Sequence, residues 1–188
     1  MRRSDRKSHH VVVTGCGVGG TGRRSLARAL LNGKALKKHA AESPHFESPV
    51  QAQVGMRAWH TGKILNVTTW SVGNSGDMSP MWELYAKNAT CLVFVVNASP
   101  KGWNDFPGRE AVLSAWDKLL SNEWAQRLPL LLIANFSDVE GALPAATLAE
   151  ALSANAVAPW HSMSCSATSG DGVRAVLEWS MSPQSTTT

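Results

Sequence analysis

The run from Val11 to Leu31, V-V-V-T-G-C-G-V-G-G-T-G-R-R-S-L-A-R-A-L-L, constrains the chain more than any other stretch. Three successive valines read as a buried strand, five glycines as a loop, and the arginine-rich segment beyond them as a helix. A strand, a glycine loop and a helix in that order can hold phosphate. Glycines let backbone N–H groups turn inward on an anion, and the helix start adds partial positive charge. Gly17 to Gly22 has the G-x-x-x-x-G spacing of a phosphate-binding loop. Arg23 and Arg24 stand where that motif carries Lys and then Ser or Thr.

Further apolar runs alternate with helical patterns. Strands are expected at Val11–Gly15, Met56–His60, Lys63–Trp70, Thr90–Val96, Leu128–Ala134 and Pro159–Met163. The second and third are joined at Thr61-Gly62 as a hairpin. Helices are expected at Arg23–Lys38, around Trp82 and Tyr85, at Pro107–Gln126, from Pro144 to about Ser153, and at Asp171–Met181. This alternation predicts an α/β three-layer domain with a mostly parallel six-stranded sheet and one antiparallel edge hairpin. Ligands of such sheets sit at the carboxyl ends of the strands.

At 188 residues one domain is expected, over residues 11–181, between a basic flexible tail (1–10) and a flexible C-terminal tail (182–188). The basic tail reads as a solvated terminus rather than a lipid or nucleic-acid contact. The apolar runs Cys91–Val96 and Leu128–Ala134 are too short to span a bilayer, and no secretory leader pattern opens the chain. Three unclustered cysteines, Cys16, Cys91 and Cys165, suit a reducing compartment and make no zinc pattern. The six histidines make neither a hydrolase triad nor a metal cluster.

Three more loops follow expected strands: W-S-V-G-N-S-G-D-M-S-P-M-W-E-L-Y from Trp70 to Tyr85, N-F-S-D from Asn135 to Asp138, and C-S-A-T-S-G-D-G from Cys165 to Gly172. With these the chain resembles the ADP-ribosylation-factor-like (Arf-like) branch of the small GTPases. That family writes W-D-V-G-G-Q-x-x-x-R-P-L-W-x-x-Y, and Trp70, Val72, Gly73, Pro80, Trp82 and Tyr85 fall in register with it. Its N-K-x-D is matched by Asn135 and Asp138, and its C/S-A-T-S-G-D-G loop by Ser166 to Gly172. F-V-V-N at Phe94–Asn97 resembles its F-V-V-D. The resemblance implies the P-loop NTPase (small G-protein) fold over residues 11–181 and a guanine nucleotide, GTP or GDP, as ligand.

The resemblance assigns phosphate contact to Gly17, Gly20, Thr21, Gly22, Arg23, Arg24, Ser25 and Gly73, and base contact to Asn135, Asp138, Ser166, Ala167 and Thr168. Asp138 would accept from the guanine N1–H and exocyclic amine, Asn135 would tie loops together, and the Ala167 N–H would meet the base oxygen. Phe136 replaces the family's lysine and could stack on the base. If the first strand ends at Gly15, the loop is two residues longer than the family's.

The magnesium side departs from the family throughout. Arg23 replaces the phosphate-binding lysine, and Arg24 replaces the hydroxyl that ligates the metal. Ser25 comes one residue late, roughly 100° around the helix. Ser71 replaces the family's aspartate, Asn74 its glycine, and Ser75 the glutamine that orients water. The switch threonine has no clear counterpart, with Gln53, followed by Gly55, and Ser48 competing for its place. Three readings stand open; the one with least support in the sequence is a working GTP hydrolase that uses unfamiliar residues, and the other two turn on the arginines. Arg24 takes the metal's place, so that nucleotide binds without magnesium and hydrolysis is weak or absent, with no catalytic or metal-ligating residue assigned; or the arginines are solvated charges on a loop that binds nothing, and the chain is a nucleotide-free pseudo-GTPase scaffold. Trp70 and Tyr85 correspond to effector-contacting aromatics of the family and are the expected protein-partner surface, whereas Trp59, Trp103, Trp116, Trp124 and Trp160 read as packing residues. The expected setting is cytoplasmic intracellular trafficking, with recruitment to membranes by a partner, without a stable anchor of its own and without nucleic acid.

Overall fold

The computed structural model describes residues 8–15, 20–33, 53–60, 63–69, 79–105, 108–153 and 160–183. Six strands form one sheet in the order β2-β3-β1-β4-β5-β6. The strands are β1 (Ser8–Gly15), β2 (Gln53–His60), β3 (Lys63–Thr69), β4 (Cys91–Asn97), β5 (Leu130–Asn135) and β6 (Trp160–Cys165). Only the edge strand β2 runs antiparallel, against β3; the other pairings are parallel. The helices are α1 (Arg23–Asn32), α2 (Ser79–Ala86), α3 (Pro100–Asn104), α4 (Gly108–Leu120), α5 (Glu123–Gln126), α6 (Ala145–Leu152) and α7 (Val173–Met181).

The period of the strands divides the molecule into layers. On one face Val11 and Val13 pack with Leu26 and Leu30 of α1, Val93, Val95, Leu131, Ile133 and Val176 of α7. On the other, Val12 joins Leu92, Phe94, Val96, Leu130 and Leu132 beneath Trp82, Trp116, Leu119 and Leu148. Trp116 is fully buried and meets Phe94 edge-on at 5.2 Å and Trp160 at 5.8 Å between ring centroids. Trp103, Trp116, Trp124 and Trp160 all contribute to this second core, so they pack as expected.

Several boundaries differ from the sequence reading, each for a local reason. β1 begins at Ser8, inside the expected tail, because His9 and His10 continue its pairing with Leu65 and Asn66 of β3. Asn66 Nδ2 donates to Ser8 Oγ at 2.7 Å, His10 Nε2 lies 2.9 Å from Thr68 Oγ1, and the His10 N–H donates to Thr90 Oγ1 at 3.1 Å. α1 stops at Asn32 rather than Lys38. Gly33 takes φ 66° and donates to the carbonyls of Ala29 and Leu30, a helix-ending geometry that glycine adopts without strain.

The single helix expected over Pro107–Gln126 is two, α4 and α5. Asn122 is extended (φ −92°, ψ 121°), and its Nδ2 donates to the carbonyls of Lys118 and Leu119 that end α4. A short helix went unforeseen: Ser99 Oγ accepts from the Gly102 N–H and Pro100 occupies the first turn, so α3 starts directly after β4. Pro144 precedes α6 as its N-cap, and Gly172 precedes α7. β5 starts two residues and ends one residue later than expected, at Leu130–Asn135, and β6 starts one residue and ends two residues later, at Trp160–Cys165. The hairpin turn at Thr61-Gly62, the tails 1–7 and 184–188, Pro107 and Pro159 lie outside the described residues.

Candidate functional site

Every parallel strand ends on the same side of the sheet, and three of the loops leaving it converge. β1 ends at Gly15; Cys16 to Gly19, including Gly17, lie outside the described residues. The chain returns at Gly20 (φ 90°), Thr21 and Gly22 (φ 77°), and Gly22 is the N-cap of α1. Its carbonyl accepts from the Leu26 N–H at 2.8 Å.

Asn135, the last residue of β5, joins this loop to the one after β6. Its side chain is 2% exposed. Nδ2 donates to the Thr21 carbonyl at 2.9 Å, while Oδ1 accepts from the Ala167 N–H at 3.3 Å. The expected loop-tying by Asn135 is therefore what the geometry displays, and the Ala167 N–H expected to meet a base oxygen is directed here at Asn135. A side chain at Gly22 would collide with Asn135 Nδ2 and press on the Phe136 ring at 3.4 Å, so both the left-handed backbone and the close approach require glycine.

The loop beyond Asn135 turns tightly. Phe136 adopts φ 68°, the Val139 N–H donates to its carbonyl at 3.0 Å, and the Ser137 N–H donates to the Cys165 carbonyl at 3.1 Å. Asp138 stands exposed at the rim. After β6, Ser166 and Ala167 are buried and Thr168 half-buried. Ser166 Oγ accepts from the Ser169 N–H at 3.0 Å, the Ser166 N–H donates to the Asp171 carbonyl at 2.8 Å, and Ser169 Oγ donates to Asp171 Oδ2 at 2.7 Å. This loop is shaped by its own hydrogen bonds.

Arg23, Arg24 and Ser25 open α1, all half-buried. Partial burial, and secondarily the charge of Arg28 one turn on, lower the Arg24 pKa from its usual value. A guanidinium still remains charged at any ordinary pH. It cannot ligate a cation, so the side chains present at 23 and 24 do not fit a magnesium ion. Among the described residues no group of three His, Cys, Asp or Glu side chains could hold a metal.

Asn97, at the end of β4, was legible only as the Asn of F-V-V-N. Its Nδ2 donates to the Gly20 carbonyl at 3.1 Å, and its Oδ1 accepts from the Ser99 N–H at 3.1 Å and Ser99 Oγ at 2.7 Å. Thr21 Oγ1 and Thr69 Oγ1 are buried with no hydrogen-bond partner among the described residues.

Trp70, Ser71, Gly73, Asn74 and Ser75 lie outside the described residues, as does Ser48. Gln53 opens β2 opposite Thr69, with a register shift before Met56. Tyr85 is half-buried against the core that holds Trp82. A separate cavity of about 590 Å³ lies between the end of α2 and α5, lined by Leu84, Lys87, Trp124, Arg127 and Leu128. Cys91 and Cys165 are buried free thiols. No described helix is long and apolar enough to cross a membrane.

A glycine-containing segment enters a helix at the carboxyl ends of a parallel sheet and is met by loops from β5 and β6. Open α/β sheets bind ligands at this place, and the arrangement is the one expected of the P-loop GTPase fold. The model of the ADP-ribosylation factor family matches residues 6–183, and the chain belongs to that family of small GTP-binding proteins.

Proposed function

We propose that the protein binds guanine nucleotide with its phosphates on Gly17 and Gly20–Ser25, near Gly73, and its base on Asn135, Asp138, Ser166, Ala167 and Thr168. The observation that carries this reading is Asn135, whose one buried amide holds the phosphate-loop carbonyl of Thr21 and the Ala167 N–H together. The two halves of a nucleotide site are thereby assembled before any ligand arrives, which lowers the ordering cost of binding. Asp138 is exposed at the start of the loop after Asn135, and its carboxylate is the group proposed to accept from the base edge.

In this reading Arg24 supplies the positive charge that magnesium supplies elsewhere, and binding proceeds without the metal. Hydrolysis is weak or absent, because a guanidinium stands in for the ligating hydroxyl and Ser75 for the water-orienting glutamine. The protein then acts by recognising partners through Trp70 and Tyr85, in cytoplasmic trafficking. Calorimetric titration with GDP and GTP, with and without magnesium, tests this. Equal micromolar or tighter binding in both conditions is expected; strong magnesium dependence or brisk GTP turnover overturns it.

A second reading, a nucleotide-free scaffold, draws on Phe136, whose ring lies against Gly22 at the mouth of the phosphate loop. Guanine nucleotide retained through purification would exclude that reading.

A further inference from the structure

The Gly20–Gly22 segment is held from below by two asparagine amides at successive peptides. Asn135 Nδ2 takes the Thr21 carbonyl, and Asn97 Nδ2 takes the Gly20 carbonyl at 3.1 Å. In a planar trans peptide the C=O and the following N–H point in opposite directions. Drawing the Gly20 carbonyl toward Asn97 therefore aims the Thr21 N–H away from it, and drawing the Thr21 carbonyl toward Asn135 does the same for the Gly22 N–H. Positive φ at Gly20 and Gly22 is the backbone condition for such successive N–H groups to form an anion-binding concavity.

We propose that Asn97 is a positioning residue for nucleotide phosphate, setting the direction of the Thr21 N–H through the Gly20 carbonyl. The proposal rests on the nucleotide-binding reading and names a determinant within it. The amide's orientation follows from its other contacts. Oδ1 already accepts from the Ser99 N–H and Ser99 Oγ, so Nδ2 is the atom facing Gly20. An aspartate, which the resembling family carries in F-V-V-D, accepts but does not donate when ionised. It would keep both Ser99 contacts and lose the bond to Gly20.

The helix next door has made room for this side chain. A Cβ at Gly102 would run into the Asn97 amide. Gly102 has no positive φ, and alanine is the better helix former, so packing against Asn97 is what glycine serves at this position.

Two variants test the proposal, N97D and G102A, by GDP calorimetry and by amide hydrogen exchange at Thr21 and Gly22. N97D is expected to bind GDP about tenfold more weakly than wild type near neutral pH. The deficit relative to wild type shrinks as pH falls toward about 4, where an aspartate becomes substantially protonated and its carboxyl donates again. A merely structural lesion would show no such recovery. G102A, which displaces the Asn97 amide, is expected to lose affinity comparably. Unchanged GDP affinity in N97D, or a deficit that ignores pH, overturns the assignment. Should wild type bind no GDP, the nucleotide reading fails separately, and the exchange data decide for Asn97. Faster exchange of the two amides in both variants upholds its hold on the loop, and unchanged exchange refutes it.

Discussion

The loops after β5 and β6 and the loop into α1 meet at one place but are stabilised differently. On the β5/β6 side, side chains do the shaping: Asn135, Ser166, Ser169 and Asp171 each hold a backbone or neighbouring group, and Ser166 and Ala167 are buried. On the α1 side the segment contributes mainly backbone. Its carbonyls are held by asparagines from other strands, and its own side chains are the buried Thr21, two arginines and a serine. A backbone cradle tolerates replacement of the side chains beside it; a side-chain network does not. On the proposed reading, that difference lets the metal-ligating hydroxyl and the phosphate lysine of the resembling family be replaced at Arg24 and Arg23 while the base-side motif stands almost whole.

The sharpest break of this comparison is Asn135→Ala, because Asn135 belongs to both halves. It leaves the Thr21 carbonyl and the Ala167 N–H without their partner in a buried place, at a cost of about 2–4 kcal/mol. Denaturant unfolding should read that loss, and guanine nucleotide affinity should fall with it. A variant as stable as wild type would mean that the two halves are not joined through this amide.

Asp138→Asn separates recognition from architecture. The carboxylate is exposed, so unfolding should hardly change. Loss of a charge-assisted contact to the base should weaken GDP binding by about 1.5–3 kcal/mol, on the order of 10- to 100-fold. Equal GDP affinity in the two proteins would remove Asp138 from the base site.

Arg24→Thr probes the other half. It withdraws the guanidinium and returns a hydroxyl to the start of α1. Metal-free GDP affinity should fall about tenfold, and binding should become magnesium-dependent. If the variant still ignores magnesium and binds as before, Arg24 is not the charge that faces the phosphates.

Much of this architecture was legible because apolar period and glycine placement act locally. Val11–Val13, Cys91–Val96 and Leu130–Ala134 are continuous apolar runs, and they are buried strands. What sequence did not disclose depended on partners distant in the chain or on one residue's backbone. Ser8–His10 look like a polar tail, yet Asn66, Thr68 and Thr90 supply their hydrogen bonds from 58 to 80 residues away. Asn122 looks like a helical interior position, but its side chain closes α4. Asn97 reads only as the Asn of F-V-V-N, and nothing local discloses its bond to the Gly20 carbonyl, 77 residues away.

The smallest expected effect comes from the far end of β1 and serves as a control on the contrast between the two loops. His10 sits where the α2–β4 turn crosses the strand. Burial lowers its pKa from the usual 6.5, outweighing hydrogen bonds to the backbone of Lys87 and Asn88 that favour the charged ring. The unfolded chain therefore takes up this proton first as pH falls. Stability from the neutral ring is present above about 6.5 and declines as pH drops through the lower folded value. His10→Gln should flatten that part of the stability–pH curve, measured by denaturant midpoints between neutral and mildly acid pH. Although Gly15 ends the same strand, the ratio of GDP affinities with and without magnesium should not follow this titration. A ratio that does follow it would show that the phosphate loop is set by the strand beneath it rather than by the two asparagines, and the contrast drawn between the loops would have to be abandoned.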